Sequence, residues 1–205
     1  MSEAAIIEPI GKRERAKAAN RQAILAAARR VFAALGYEVA TVRDIIRGTD
    51  LASGTFYNYF RSKEEVFEAL ADDGARRFKP ILRAIRENAN SFEDYLHTSL
   101  VAYFDFLVEE YRIEGRPVDE RRPHVRADTP EMIAVYDEVR NGLEAAITRG
   151  LAPKVDADYL ACACIGIAQE IGAAMLRRSP HDVEEAAAFA ARLILKGLNG
   201  APQGA

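Results

Sequence analysis

The chain has 205 residues, 49% of them hydrophobic and 29% charged, which is enough for one substantial core or for a small head on a larger body and is typical of a globular protein. Its 2 Cys lie close together, no apolar run reaches the ~18–20 residues of a membrane span, and the N-terminus lacks a secretory signal pattern. These features argue against a disulfide framework and a membrane partner, so a cytoplasmic protein is expected. The net charge of −3 hides an asymmetry: residues 11–63 hold eleven Lys and Arg against four acids, a local +7, so the remainder carries −10. A basic head on an acidic body points to a polyanion partner.

Nearly every segment reads as helix, because Ala, Leu, Glu and Arg dominate and β-branched runs are short. Residues 1–16 are expected to be a flexible basic tail. The first helix spans 17–35: Ile24, Leu25, Ala28, Val31, Phe32 and Leu35 recur at three and four, and Gly36 supplies the stop. Thr41-Val-Arg-Asp44 forms a capping box for a second helix that ends near 48–50. A third short helix covers 53–60. Ser62 can cap a fourth, whose Glu64 and Glu65 suit the N-terminal dipole and which Pro80 should kink or break on its way to residue 87. Residues 91–111 make a helix apolar nearly all round, which belongs in the middle of a bundle. Residues 115–128, with Pro117, Pro123 and dense charge, read as a loop with a short broken helix. Helices over 130–149, 157–177 and 182–198 complete the chain, the first opened by Thr129-Pro130 and the last capped by Asp182. Residues 201–205 are a tail.

Helix 41–48, a tight turn and helix 53–59 have the size of a helix-turn-helix, whose second helix enters the major groove of DNA. That explains the dense rings of Leu51-Ala-Ser-Gly-Thr-Phe-Tyr-Asn-Tyr-Phe60. Phe56 and Phe60 lie four apart and should face the core. Ser53, Thr55, Tyr57, Asn58 and Tyr59 remain for DNA, and Gly54 lets the backbone approach the sugar-phosphate closely.

Residues 21–70 resemble the DNA-binding head of the tetracycline-repressor (TetR) family of bacterial regulators. The resemblance rests on Ile24-Leu-Ala-Ala-Ala28, Val31-Phe32, Gly36-Tyr37, Thr41-Val-Arg-Asp-Ile45 and above all Gly54-Thr-Phe-Tyr-Asn-Tyr-Phe60 with Lys63. It implies that Thr41, Arg43 and Lys63 touch phosphates, and that Ser53, Thr55, Tyr57, Asn58 and Tyr59 lie in or beside the major groove. Lys12, Arg13 and Arg15, ahead of the first helix, would reach the backbone or the minor groove. Thr49 and Asp50 stand where the family often has Ala-Gly; Asp50 can take a left-handed turn. Ala52 stands where a capping Ser is common, so Ser53 either caps the third helix or reads a base.

The implied fold is all-α. An N-terminal three-helix helix-turn-helix head (17–63) joins by a long helix to a C-terminal helical ligand-binding and dimerisation bundle (64–200). Phe92, Tyr95, Tyr103, Phe104, His124, Tyr136, Cys162 and Gln169 are the candidate pocket residues, mostly apolar with a few polar groups. Ala161, Ile165, Ala168 and Gly172, with Ala187, Ala191 and Ile194, are the candidate dimer contacts, because small residues at helical spacing allow close helix approach.

The function implied is a repressor that binds an inverted-repeat operator as a homodimer and is released by a small apolar or aromatic effector. An activator, or a redox- or metal-responsive regulator of the same fold, is the alternative; a helical adaptor that does not bind DNA is the remote one. Cys162 and Cys164 are two apart on a helix and point to different sides, so they cannot chelate together. No nucleophile elbow, H-E-x-x-H, phosphate loop or dinucleotide fingerprint is present, so no catalytic residue, metal or cofactor is expected.

Overall fold

A computed structural model describes residues 11–111 and 129–198. The expectations for the terminal tails, the Pro-rich segment 115–128 and His124 lie outside the described residues. The described residues form eight helices and no strand: α1 Lys12–Leu35, α2 Val42–Arg47, α3 Ser53–Tyr57, α4 Lys63–Asn88, α5 Phe92–Tyr111, α6 Pro130–Thr148, α7 Ala157–Leu176 and α8 Val183–Leu198.

Local chemistry sets the helix ends. Gly36 and Gly150 take positive φ, 76° and 72°, and stop α1 and α6. Thr41, Ser62, Thr129, Asp156 and Asp182 each accept a backbone N–H from the first turn of the helix that follows. Asp50 needs no left-handed backbone: no non-Gly residue among those described has positive φ. Thr49 holds the α2–α3 turn instead, its Oγ1 donating to the Ile46 carbonyl at 2.8 Å and accepting from Leu51 N.

Three helices differ from expectation, and α3 is the shortest of them, ending at Tyr57 rather than at residue 60. α1 begins at Lys12, inside the segment read as tail. α4 runs unbroken through Pro80. Pro80 lies on the exposed side, as does Arg76 four residues earlier, so water can satisfy the carbonyl that loses its donor.

The head packs Ile24, Leu25, Ala27 and Ala28 of α1 with Ile45, Phe56 and Phe60, and α4 completes this core with Val66 and Ala69. Head and body therefore share α4 as a common strut. Phe56 is 1% exposed, and truncating it to Ala should cost about 3–5 kcal/mol. The body core joins Phe92, Leu96, Leu100 and Phe104 of α5 to α6, α7 and α8. By length and composition α7 could cross a membrane, contrary to the sequence reading. Here it is a bundle helix that buries Leu160, Cys164, Gly172, Met175 and Leu176.

Candidate nucleic-acid interface and ligand cavity

α3 divides by face. Phe56 and Phe60 pack their rings 6.1 Å apart in the head core. Ser53, Gly54, Tyr57 and Asn58 are exposed, and Thr55 and Tyr59 are half-buried. Tyr59 leans on the core, its hydroxyl accepting from Asn20 Nδ2 at 3.3 Å. Tyr57 is 57% exposed and stands edge-on to Phe56. The N-cap position is Ala52 and no side chain caps the helix, so Ser53 is not engaged as a cap. A Cβ on Gly54 would meet nothing within 4 Å. The fold itself therefore gives no steric reason for glycine there.

The basic residues sort in the same way. Lys12, Arg13 and Arg15 are exposed in the first turn of α1, on the helix rather than ahead of it. Cations at a helix N-terminus oppose its dipole by about 0.3–1 kcal/mol each, so the helix alone does not favour them there. Arg43 is exposed on α2.

Two residues read as phosphate contacts are already engaged. Thr41 Oγ1 donates to Asp44 Oδ2, as does its backbone N, which completes the capping box. These bonds, the side-chain one foremost, hold the Asp44 carboxyl below its ordinary range. Lys63 Nζ donates to the carbonyls of Tyr37 at 2.9 Å, Glu38 at 3.2 Å and Ala40 at 3.3 Å, and sits 4.5 Å from the Tyr37 ring centroid. Its ammonium closes the α1–α2 loop, a packing role that the sequence did not disclose.

The body and head enclose a cavity of about 430 Å³. Its lining runs from Tyr95 to Glu110 on α5 and from Phe67 to Leu82 on α4. At 1.5 Å rise per residue each span is about 22 Å, so the cavity is a tube along both helices. At the deep end Tyr95 packs over Gly142. Burial pushes the Tyr95 hydroxyl and the Cys164 thiol each up to about 12, so both present neutral groups. At the head end the rings of Phe32, Tyr37 and Phe67 pack at tilted and edge-on angles within 6.2 Å of one another, beside Arg29, Glu110 and Arg177. Burial first, then the hydrogen bond to Glu64, raises the Tyr37 hydroxyl to about 12 as well.

Against this geometry stand the comparisons. The family model described as "Bacterial regulatory proteins, tetR family" matches residues 24–70, the segment that carries the head core and α3. The match is confined to this head, about a quarter of the chain. The transcriptional repressor AcnR of Corynebacterium glutamicum is 43% identical over 63 residues, covering 31% of this chain and 34% of that protein. The chain thus matches about a third of that repressor's length. Two solved structures share this fold over most of the chain. FadR from Bacillus subtilis, solved in complex with stearoyl-CoA, superposes with a TM-score of 0.71 at 18% identity, covering 86% of this chain and 98% of that one. A tetR-family protein from Rhodococcus RHA1 superposes with a TM-score of 0.62 at 24% identity, covering 89% and 97%.

The candidate pocket residues divide. Tyr95, Tyr103, Tyr136 and Gln169 line the tube. Phe92 and Phe104 do not; they are core, Phe104 at 0% exposure beneath Gly172. Cys162 points outward, and Cys164, on the inner side, takes its place. The candidate dimer residues face largely inward in the single chain. Ala161, Gly172, Ala187, Ala191 and Ile194 are buried in the chain's own core, while Ile165 and Ala168 are half-buried and line the tube, as Ile194 also does. The outer stripe of α7 is instead Tyr159, Cys162, Ala163 and Gly166, and that of α8 includes Phe189 and Leu193. The head's share of the tube, Phe32 and Tyr37, with Phe67 of α4 beside them, carries no signal in the sequence, because it depends on tertiary contact.

Proposed function

We propose that the protein is a cytoplasmic repressor which binds operator DNA as a dimer and is released by an elongated, mostly apolar effector. The observation that carries the DNA reading is the exposed face of α3. Ser53, Gly54 and Asn58 are exposed there, and Tyr57 touches Phe56 edge-on yet stays 57% exposed, while Phe56 anchors the opposite side. Asn58 and Ser53 offer hydrogen bonds to base edges, and Lys12, Arg13, Arg15 and Arg43 offer charge to phosphates. Two heads about 34–36 Å apart would match successive major grooves and read an inverted repeat.

The outer stripes of α7 and α8 are the proposed dimer faces. Tyr159 is 80% exposed, Phe189 50% and Leu193 49%, and a Cβ on Gly166 would meet nothing within 4 Å, which leaves room for a partner helix. The tube's length and apolar walls suit a linear chain better than a compact ring system, and a similar fold accommodates stearoyl-CoA.

The test is binding to DNA from the protein's own upstream region across salt. Six to ten phosphate contacts over a dimer predict a loss of about 10³–10⁵-fold between 50 and 200 mM salt. Replacing Tyr57 and Asn58 by Ala should abolish sequence preference while leaving the fold intact. Retained preference in that folded variant would refute the assignment of α3.

A further inference from the structure

Four charged side chains join the head to the body at the head end of the tube. Arg29 of α1 pairs with Asp73 of α4 at 3.3 Å and with Glu110 of α5 at 3.1 Å. Arg77 of α4 pairs with the same two carboxylates, with Asp73 at 3.5 Å and with Glu110, and its guanidinium lies over the Phe106 ring. Glu110 is 16% exposed, the most enclosed of the four, and accepts one Arg on each oxygen. Arg29 and Glu110 also line the cavity. The ties that hold α1 against α5 are therefore part of the wall that an occupant would push on.

Geometry favours separation on filling. The neighbouring wall consists of rings, Phe32, Tyr37, Phe67 and Phe106, which rotate or shift but do not compress. Asp73 and Arg77 share α4, and their pairing at i, i+4 survives any movement of the other helices. Arg29 and Glu110 sit on different helices and have no such local support. They form the pair that opens when α1 moves from α5, leaving each with one partner on α4. That asymmetry makes the cluster a two-position element: closed when the head end is empty, opened at one joint when it is filled.

We infer that the Arg29–Glu110 pair is the bolt through which occupancy of the tube is transmitted to the head. This rests on the cavity being the effector site. Because an occupant must open the bolt, removing the bolt makes occupancy easier, and the two effects are reciprocal. The probe is the methyl ester of cis-parinaric acid, a neutral linear fluorescent polyene that cannot itself replace either charge. Its dissociation constant is measured for the wild type, Arg29→Gln, Glu110→Gln and the double variant. Circular dichroism verifies that each is folded, and Asp73→Asn serves as a second probe of the cluster that leaves the Arg29–Glu110 pair in place.

Each single variant should bind the probe about three- to five-fold tighter, the factor a partly exposed ion pair supplies, and the double variant no tighter than either single. Upstream-DNA binding without probe should weaken in the same variants. Asp73→Asn should change the probe constant less than either. Equal probe constants in all proteins, or additive gains in the double variant, would overturn the bolt while leaving the cavity reading intact. Failure of the wild type to bind the probe at all would overturn both.

Discussion

Replacing Gly54 by Ala separates stability from recognition, because the two should move in opposite directions. Gly54 lies in α3 with a negative φ, and an added Cβ would meet nothing within 4 Å. Glycine in a helix costs about 0.5–1 kcal/mol relative to Ala, and a site in the first turn of a five-residue helix takes the lower figure. A chain of this size gains about 2–4 °C per kcal/mol, so the melting temperature should rise by about 1–2 °C. Against DNA the methyl group would prevent the closest backbone approach. Losing one backbone-level contact is worth about 1 kcal/mol per head, hence about 2 kcal/mol and a roughly thirty-fold weaker complex for a dimer. Thermal unfolding and fluorescence anisotropy on labelled upstream DNA, at one salt concentration, measure both. A higher melting temperature with unchanged affinity would refute the placement of Gly54 against DNA. Gly172→Ala is the contrasting case. Its Cβ would lie 2.5 Å from Leu107 Cδ1 and 3.2 Å from Phe104 Cε1, so overpacking should cost about 1–3 kcal/mol.

Lys63→Met should lower stability in urea by about 2 kcal/mol, because three loop carbonyls lose a charged donor; a change in DNA affinity alone would contradict the loop-closing role. Tyr37 and Tyr95 should stay neutral until about pH 12, two units above the ordinary 10.0. The unfolded rings ionise first, so this stabilisation is full below pH 10 and falls away as pH rises through 12. An ultraviolet alkaline titration should show Tyr37 and Tyr95 among the late tyrosines, with one late transition removed by Tyr95→Phe. Phe189→Asp with Leu193→Asp should convert dimer to monomer by sedimentation with the fold retained, since both side chains are about half exposed. The same substitution at Ala187 should unfold the body, because that residue is 0% exposed.

The head was legible in detail from sequence. Its helices have one apolar side each, so Ile24, Ile45, Phe56 and Phe60 name the core, and Gly36, Thr41 and Ser62 name the ends by local chemistry. What sequence could not show there was engagement. Lys63 looks like any exposed cation until the three carbonyls that surround it are brought from 23 to 26 residues away.

The body was legible only as a set of helices. α7 is small and apolar on both sides, so no polar face marks its outside, and Ala161, Gly172 and Cys162 are interchangeable candidates by spacing alone. Packing decides the phase: Phe104 and Leu107 fill the space over Gly172, which turns Cys164 inward and Cys162 outward. The tube follows the same rule. The sequence alone determined that this is an all-helical chain with a basic helix-turn-helix head, because periodicity, caps and charge are local properties. Only the tertiary structure decided which rings line a cavity, which sides of α7 and α8 stay exposed, and that Arg29 and Glu110 meet across 81 residues of chain at the wall between head and body.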